Sequence, residues 1–490
     1  MARIESETET QRTVKALTQI HGTLPLPLPR GVIGIAVDRD VAGSPVGQKL
    51  TTMLVHQLVR MKGIIPAVTI PPHFNTISIR PGTPLVGTSL REGLHQLVSS
   101  LNSAHSPHQA VLSDDAAPDL VIAIGHDRGD IYVGAGAWRA LTGKHAFDAG
   151  WNDEAPFGAY LAASLAAAQA LAQLVALNTG TPIGLPPDVA HSLFDHTFGA
   201  DANPGTDLTD LDLDDVILTG AGAGGTAALY TLASLPRLGG NMNIVEPGYH
   251  KLSNLGRYLT VTFSDVDTGA HKLDTINRHL RMYAPSLNVV GIPERWEDNR
   301  RNADLVIATV DTLEGRFAIQ RDARNVILEA GVDGYTYTVL RVVPGGRCIC
   351  CKMPPDAVDR RAAANWGVSI EECRRRTAEN AIITREDIAQ LAQIQDKPAE
   401  EYVDLLHRPW NEAAPPLECG DARITPQQVG TIPMATTAAG IVIAAETAKH
   451  FAGVGTPLDN SFDHNLLHAP GPRNHKHRPT TTPCPYHGTR

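Results

Sequence analysis

The sequence predicts an α/β protein made of two successive units, each built around a mostly parallel sheet. Short apolar runs typical of buried strands alternate with helical patterns in both halves of the chain. The strings PDLVIA (118–123) and ADLVIA (303–308) share five of six residues. Each half also ends in an Ala-rich helix, predicted over 158–177 and 435–449. This shared order of elements favours a duplicated unit over a chance match between two buried strands.

The first half is predicted to contain an N-terminal arm over 1–30 and a sheet unit over 31–205. The arm ends in LPLPLPR, an alternating proline run that cannot continue a helix. The unit that follows alternates strands with amphipathic or Ala-rich helices. Its predicted strands cover 31–37, 64–70 and 118–125, and its predicted helices cover 48–63, 90–101 and 158–177.

The second half repeats this alternation over 212–351. The acidic stretch 201–215 is expected to be the linker between the two units. A strand then leads into GAGAGG (220–225) and a helix over 226–235, and later strands are predicted over 242–247, 303–311 and 325–331. Two further segments follow, a charged and loop-rich one over 352–432 and a C-terminal helix with its tail over 433–490.

Composition narrows the classes of function. The chain has 490 residues and a net charge of −10, which disfavours a nucleic-acid binder with a broadly basic surface. The N-terminus MARIESETETQR lacks the apolar segment of a signal peptide. The most apolar stretch, 160–177, is Ala-rich and contains polar residues, so a buried helix is favoured over a membrane span. We therefore expect a cytoplasmic protein with neither nucleic acid nor membrane as a partner.

Three glycines follow the first strand of the second unit. Gly220, Gly222 and Gly225 fit G-x-G-x-x-G between a strand and a helix. In this pattern the glycines allow a tight turn, the approach of a phosphate to the backbone and close helix packing. Glu246 ends the next strand, where an acidic side chain can bind ribose hydroxyls. These features alone are compatible with an NAD-dependent oxidoreductase.

The residues that follow favour a nucleoside triphosphate. Asn254, Arg257 and Lys272 supply more donors than a dinucleotide needs, whereas a triphosphate requires several. Asp311 follows the strand ADLVIATV. A carboxylate at a strand end beside a triphosphate is a natural ligand for Mg²⁺.

This order of motifs resembles the ubiquitin-activating and ThiF/MoeB adenylating superfamily. The resemblance rests on the glycine loop, Glu246-Pro247, Asn254-Leu255 with Arg257, Gly269 with Lys272, and Asp311. Three positions depart from the family pattern: Glu246 replaces an aspartate, Gly248 a second acid and Tyr258 a glutamine. The resemblance implies ATP and Mg²⁺ as cofactors, with Arg257, Lys272 and Asp311 as catalytic residues. It also implies that 212–351 is the active adenylation domain and 31–205 a degenerate, inactive Rossmann-like copy.

The cysteines lie in the C-terminal third of the chain and predict a zinc site. Cys348 and Cys351 have C-x-x-C spacing, and Cys484 and His487 have C-x-x-H spacing. Together they supply the four ligands of a closed tetrahedral zinc site. Cys350 would point away from Cys351 on a strand, so we assign it to the core.

Two cysteines remain as candidates for a catalytic thiol. In the resembling family, the segment corresponding to 352–432 crosses near the nucleotide and carries a thioester cysteine. Cys419 lies in a loop rich in proline and glycine, which suits a mobile nucleophile. Cys373 lies in a charged helix beside Arg374, Arg375 and Arg376, which would favour its thiolate. We choose Cys419 and keep Cys373 as the alternative.

The compact chain looks like the activating enzyme of bacterial ubiquitin-like conjugation operons, such as the Bil antiphage system. This implies a ubiquitin-like protein and a conjugating enzyme as partners, and it leaves a homodimer open. The carrier's C-terminus would be adenylated, captured as a thioester and passed to the conjugating enzyme. The alternatives are a ThiF/MoeB-type adenylyltransferase that activates a sulfur carrier or peptide without a thioester, an NAD-dependent oxidoreductase, and a non-catalytic scaffold.

Overall fold

The structure is a computed structural model of the chain. It describes residues 17, 30–103, 108–147, 149–180, 183–184, 188–298, 302–323, 325–352, 363, 366–395, 398–410 and 431–476. Most of the predicted arm over 1–30 lies outside the described residues.

The first half contains a seven-stranded sheet in the order β3-β2-β1-β4-β5-β6-β7. The pairs among β1 to β5 are parallel, and the β5–β6 and β6–β7 pairs are antiparallel. The strands are β1 (Ile33–Val37), β2 (Val68–Thr69), β3 (Leu112–Ser113), β4 (Leu120–Ile124), β5 (Ile131–Ala135), β6 (Arg139–Gly143) and β7 (Val189–Ser192). The helices are α1 (Arg39–Gly43), α2 (Pro45–Leu58), α3 (Leu90–Leu101) and α4 (Phe157–Thr179).

The second half contains an eight-stranded sheet in the order β10-β9-β8-β11-β12-β13-β14-β15. The pairs among β8 to β12 are parallel, and the β12–β13, β13–β14 and β14–β15 pairs are antiparallel. The strands are β8 (Asp210–Thr219), β9 (Arg237–Val245), β10 (Leu287–Ile292), β11 (Leu305–Ala308), β12 (Val326–Asp333), β13 (Thr336–Val342), β14 (Ser461–Asn465) and β15 (His475–Lys476).

Some helices of the second half belong to the sheet unit, and others lie in the segment before its last helix. They are α5 (Ala223–Leu232), α6 (Phe263–Asp267), α7 (Lys272–Tyr283), α8 (Leu313–Asp322), α9 (Ile349–Lys352), α10 (Ile370–Ala378), α11 (Arg385–Gln395) and α12 (Pro433–Ala452). Helices α10 and α11 contribute to a small apolar cluster of their own, which includes Trp366, Leu391 and Trp410.

The two sheets share one strand order, and the second adds β15 at its edge. The two LVIA strings occupy equivalent places, because β4 pairs with β1 and β11 pairs with β8. The predicted α/β class with two mostly parallel sheets is therefore confirmed. The predicted boundaries of the units and the inactivity of the first stay predictions.

The halves meet through their Ala-rich helices. Helix α4 packs against α2, α12 packs against α5, and α4 and α12 contact each other. Buried alanines permit this close approach. Helix α4 is long and apolar enough to cross a membrane, but 83% of its most apolar window is buried in the protein. This burial agrees with the predicted buried helix.

Two sequence predictions about local structure were wrong. The acidic stretch over 201–215 is not linker throughout, because β8 begins at Asp210. Leu211 and Leu213 are buried whereas the neighbouring aspartates are exposed, and this period of two is that of a half-buried strand. Cys350 is buried as expected but lies on the short helix α9, not on a strand.

Candidate active site

The glycine loop joins β8 to α5 at the carboxyl edge of the second sheet. Gly220 has a φ of +86°, and an added Cβ would lie 2.9 Å from the backbone of Thr309 and Val310. At Gly225 a Cβ would lie 2.4 Å from the Gly220 carbonyl oxygen. Gly222 caps α5 without a side-chain hydrogen bond, and its added Cβ would meet nothing closer than 3.8 Å. The loop is therefore tightly packed at Gly220 and Gly225, whereas the space beside Gly222 is open. An open side is what an anion-binding helix N-terminus requires.

Glu246 braces this loop from the end of β9. Its Oε2 accepts a hydrogen bond from the Ala221 amide at 2.6 Å, and its Oε1 accepts one from the Gly248 amide at 2.7 Å. The Lys272 ammonium donates to Oε1 at 3.2 Å. These bonds leave Oε2 one lone pair for a further donor such as a ribose hydroxyl. Glu246 therefore fixes the loop as well as lining the site.

Lys272 reaches the site because residues 248–250 are hydrogen-bonded to residues 270–272. The His250 amide donates to Ala270, and the Lys272 amide donates to Gly248 at 3.1 Å. The ammonium lies 5.7 Å from the centre of the Tyr258 ring. Burial alone would lower the pKa of Lys272, but Tyr258, Glu246 and Asp311 outweigh it and raise that pKa above its usual value. Lys272 is therefore a fixed cation at neutral pH.

Asn254 and Arg257 lie on one short turn that follows β9. The Asn254 side-chain oxygen accepts from the Lys251 amide at 2.8 Å, which starts the turn. The Asn254 carbonyl then accepts from the amides of Arg257 and Tyr258, at 3.0 and 2.9 Å. This turn places both side chains on the wall of the cleft.

Asp311 lies just beyond β11 and is exposed. The loop that carries it is held by Arg316 on α8, which sequence analysis did not single out. The Arg316 guanidinium donates to the Val310 carbonyl and to the Ala330 carbonyl, both at 3.0 Å, and forms a buried ion pair with Glu329. The sequence pattern does not indicate Arg316, because its partners lie on a strand and a loop outside its own helix and only the fold brings them together.

We expect Arg316→Met to be strongly destabilising. The change leaves the fully buried Glu329 carboxylate without its cation, which costs about 3–5 kcal/mol of unfolding free energy. Denaturant unfolding of the full chain measures this loss. Arg321→Met on the same helix is the control, because the Arg321 side chain is half exposed and forms an ion pair with the adjacent Asp322. Equal stability of the two variants would contradict the prediction.

These elements enclose a cleft of about 620 Å³ at the carboxyl ends of the parallel strands. Ligands of open α/β sheets bind at this edge. Residues that sequence analysis did not single out for the site also line it, including Tyr249, Trp296, Thr309 and Thr436. The sequence-predicted residues that line the cleft are Gly220, Gly222, Glu246, Asn254, Arg257, Lys272 and Asp311.

Two of the four predicted zinc ligands are close together. Cys348 and Cys351 are both buried, and their Sγ atoms lie 3.6 Å apart. This separation is too long for a disulfide and close to the about 3.8 Å between two thiolates on one tetrahedral zinc ion. Cys484 and His487 lie outside the described residues. Within the described part of the chain, no group of three or more metal-binding side chains is present.

Of the two candidate nucleophiles, the described part of the chain contains Cys373. Cys373 is 2% exposed and belongs to the apolar cluster around Trp366. Arg375 and Arg376, which were expected to activate it, both form ion pairs with Glu372. Cys419 lies outside the described residues.

The fold and the glycine loop define an α/β nucleotide-binding type of protein. The model of the ThiF family matches residues 200–485, more than half of the chain. The chain therefore belongs to the ThiF family, a family of adenylyltransferases.

Known proteins similar to this chain include one full-length relative and several solved structures. An uncharacterized protein, y4jF of Sinorhizobium fredii, is 25% identical over 95% of this chain and 90% of its own. E. coli MccB with succinimide is 15% identical, with a TM-score of 0.35 over 56% of this chain and 66% of that one. E. coli MccB with ATP is 14% identical, with a TM-score of 0.35 over 57% and 68%. The chain thus spans about two thirds of the length of MccB.

Proposed function

We propose that this protein uses ATP to adenylate the C-terminal carboxylate of a ubiquitin-like protein, and then captures the acyl group as a thioester. The observation that carries the proposal is the convergence of the glycine loop, Arg257, Lys272 and Asp311 on one cleft. A helix terminus and two cations suit a triphosphate, and membership of the ThiF family supports adenylation.

In the first step, a carboxylate oxygen of the carrier attacks the α-phosphorus of ATP. A P–O bond to the carrier forms, the bond to the β-phosphate oxygen breaks, and pyrophosphate leaves. Arg257 and Lys272 stabilise the charge that develops on the phosphate oxygens. Asp311 would hold Mg²⁺, which supplies further charge neutralisation. The attacking carboxylate is already ionised, so no general base is required.

In the second step, the Cys419 thiolate attacks the acyl carbon of the mixed anhydride. A C–S bond forms and AMP leaves. The thiolate of a conjugating enzyme then displaces Cys419 and takes the acyl group. We propose that this occurs in the cytoplasm of a bacterium, in an antiphage conjugation pathway, as the resemblance to the activating enzymes of such pathways implies.

The first half is proposed to be inactive. It lacks the G-x-G-x-x-G pattern after β1, where the sequence reads DRDVAG. Helix α1 fills this place instead, and an added Cβ at Gly47 would lie only 1.8 Å from the Val41 carbonyl oxygen. The N-terminus of α2 already has a partner, because the Gly47 amide donates to the Ser44 hydroxyl oxygen at 3.1 Å.

ATP–pyrophosphate exchange tests the first step. The full chain is incubated with ATP, labelled pyrophosphate and a candidate carrier that ends in a free carboxylate. Exchange that depends on the carrier supports adenylation, and binding of a nicotinamide nucleotide without exchange would overturn it. Exchange without a thiol-labile adduct would identify an adenylyltransferase for a sulfur carrier or a peptide.

We propose that Cys348, Cys351, Cys484 and His487 hold a structural zinc ion. It would join the C-terminal tail to α9 and leave no open position for water. Elemental analysis of the full chain, purified without chelator, should give about one zinc ion per chain. Cys348→Ser should lose the metal, whereas Cys350→Ser, which changes the adjacent buried thiol, should keep it. Zinc-free wild-type protein would refute the site.

A further inference from the structure

Arg60 of the first half reaches into the second half. It follows α2 by two residues and is 4% exposed. Its guanidinium donates to three backbone carbonyls of the second half: those of Leu255, Leu259 at 3.1 Å and Val261 at 3.4 Å. These carbonyls lie in and just after the turn that carries Asn254, Arg257 and Tyr258.

The Arg60 guanidinium is buried, so its N–H groups need hydrogen-bond acceptors within the protein. The guanidinium also lies 2.7 Å from the Nε2 atom of His56. Burial, with Arg60 and His279, holds the pKa of His56 well below its usual range, so the ring is neutral and accepts. A buried cation is costly unless its donors are hydrogen-bonded. The hydrogen bonds of the guanidinium therefore tie the segment that contains these carbonyls to the first half.

The equivalent place in the other half is different. Two residues beyond the end of α5 lies Ser234, whose hydroxyl oxygen accepts a hydrogen bond from Tyr160 at 2.7 Å. The second half thus has the Ser234 hydroxyl, bonded to Tyr160, at the position where the first half has the Arg60 guanidinium. At this one position, the first half therefore supplies a buried guanidinium to the segment beside the cleft, whereas the second half supplies a hydroxyl group.

We propose that Arg60 is a positioning residue for the nucleotide. It holds segment 254–261 in the conformation that presents Asn254 and Arg257 to the triphosphate, so the first half completes the site of the second. The assignment of the nucleotide rests on the proposed function, whereas the bracing of the segment does not.

Hydrogen exchange of the full chain without nucleotide tests the bracing. In Arg60→Met, the amides of Arg257, Tyr258 and Val261, which are hydrogen-bonded within the segment, should exchange about tenfold faster or more. Lys62→Met is the matched control, because Lys62 is buried and donates to the Leu101 carbonyl within its own half. It should leave these amides unchanged. Unchanged exchange in Arg60→Met overturns the inference.

ATP–pyrophosphate exchange then measures the consequence. Arg60→Met should raise the KM for ATP about tenfold or more, because the triphosphate must order the turn. Its effect on kcat should be smaller, and Lys62→Met should keep the wild-type KM. Arg60→Lys keeps the charge but cannot reach three carbonyls at once, so its KM for ATP should lie between those of the wild type and Arg60→Met. It replaces Arg60→Met in this assay if Arg60→Met does not fold. A wild-type KM in both Arg60 variants refutes the positioning role. If the wild type shows no ATP turnover but Arg60→Met still exchanges these amides faster, the proposed function is refuted and the bracing by Arg60 is not.

Discussion

Asp311→Ala should reduce ATP–pyrophosphate exchange by about 10³-fold or more, because it removes the carboxylate proposed to hold Mg²⁺ beside the triphosphate. The carboxylate is exposed at the cleft, just beyond β11. A metal ligand lost at this position leaves the charge on the phosphates to the helix terminus, Arg257 and Lys272. The assay uses the full chain with saturating carrier and varied Mg²⁺.

The control for this variant is Asp304→Ala. Asp304 is also exposed, but it precedes β11 and so lies at the opposite end of the same strand. Its removal should leave the exchange rate unchanged. Both variants should unfold at the wild-type temperature, since neither side chain packs in the core. Wild-type exchange in Asp311→Ala would show that this aspartate does not take part in adenylation.

The features that were predictable from the sequence are those set by local pattern. The apolar period of 3.6 in LREGLHQLVSSL predicts the helix over 90–101 with the bounds observed. The repeated string DLVIA predicts equivalent central strands, because parallel strands covered on both faces must be continuously apolar. The glycine spacing likewise indicates the loop, since Gly220 and Gly225 are each held by contacts that no side chain permits.

The features that were missed depend on contacts between distant parts of the chain. Strand β14 pairs with β13 although more than a hundred residues separate them. Arg316 pairs with Glu329 only because α8 packs beside the start of the β12–β13 hairpin. Arg60 donates to a carbonyl 195 positions away. No periodicity marks such a residue, because an arginine in a short loop after a helix is most often exposed.

Cys419→Ala should abolish the thiol-labile adduct between enzyme and carrier while it retains ATP–pyrophosphate exchange. The adduct forms after adenylation and needs only a thiolate near the mixed anhydride. The flanking residues Pro415, Pro416 and Gly420 disfavour regular structure, which suits a residue that must approach the adenylate. Gel separation of enzyme and carrier, with and without reducing agent, measures the adduct.

Cys373→Ala is the matched control and should keep both activities. Its thiol is 2% exposed and lies in an apolar cluster, and the neighbouring Arg375 and Arg376 are engaged by Glu372. For Cys373 to act, the cluster around Trp366 would have to open. An adduct that persists in Cys419→Ala and vanishes in Cys373→Ala would show that it does open, and that the arginine-rich helix carries the nucleophile. An adduct that persists in both variants would place the thioester on another cysteine.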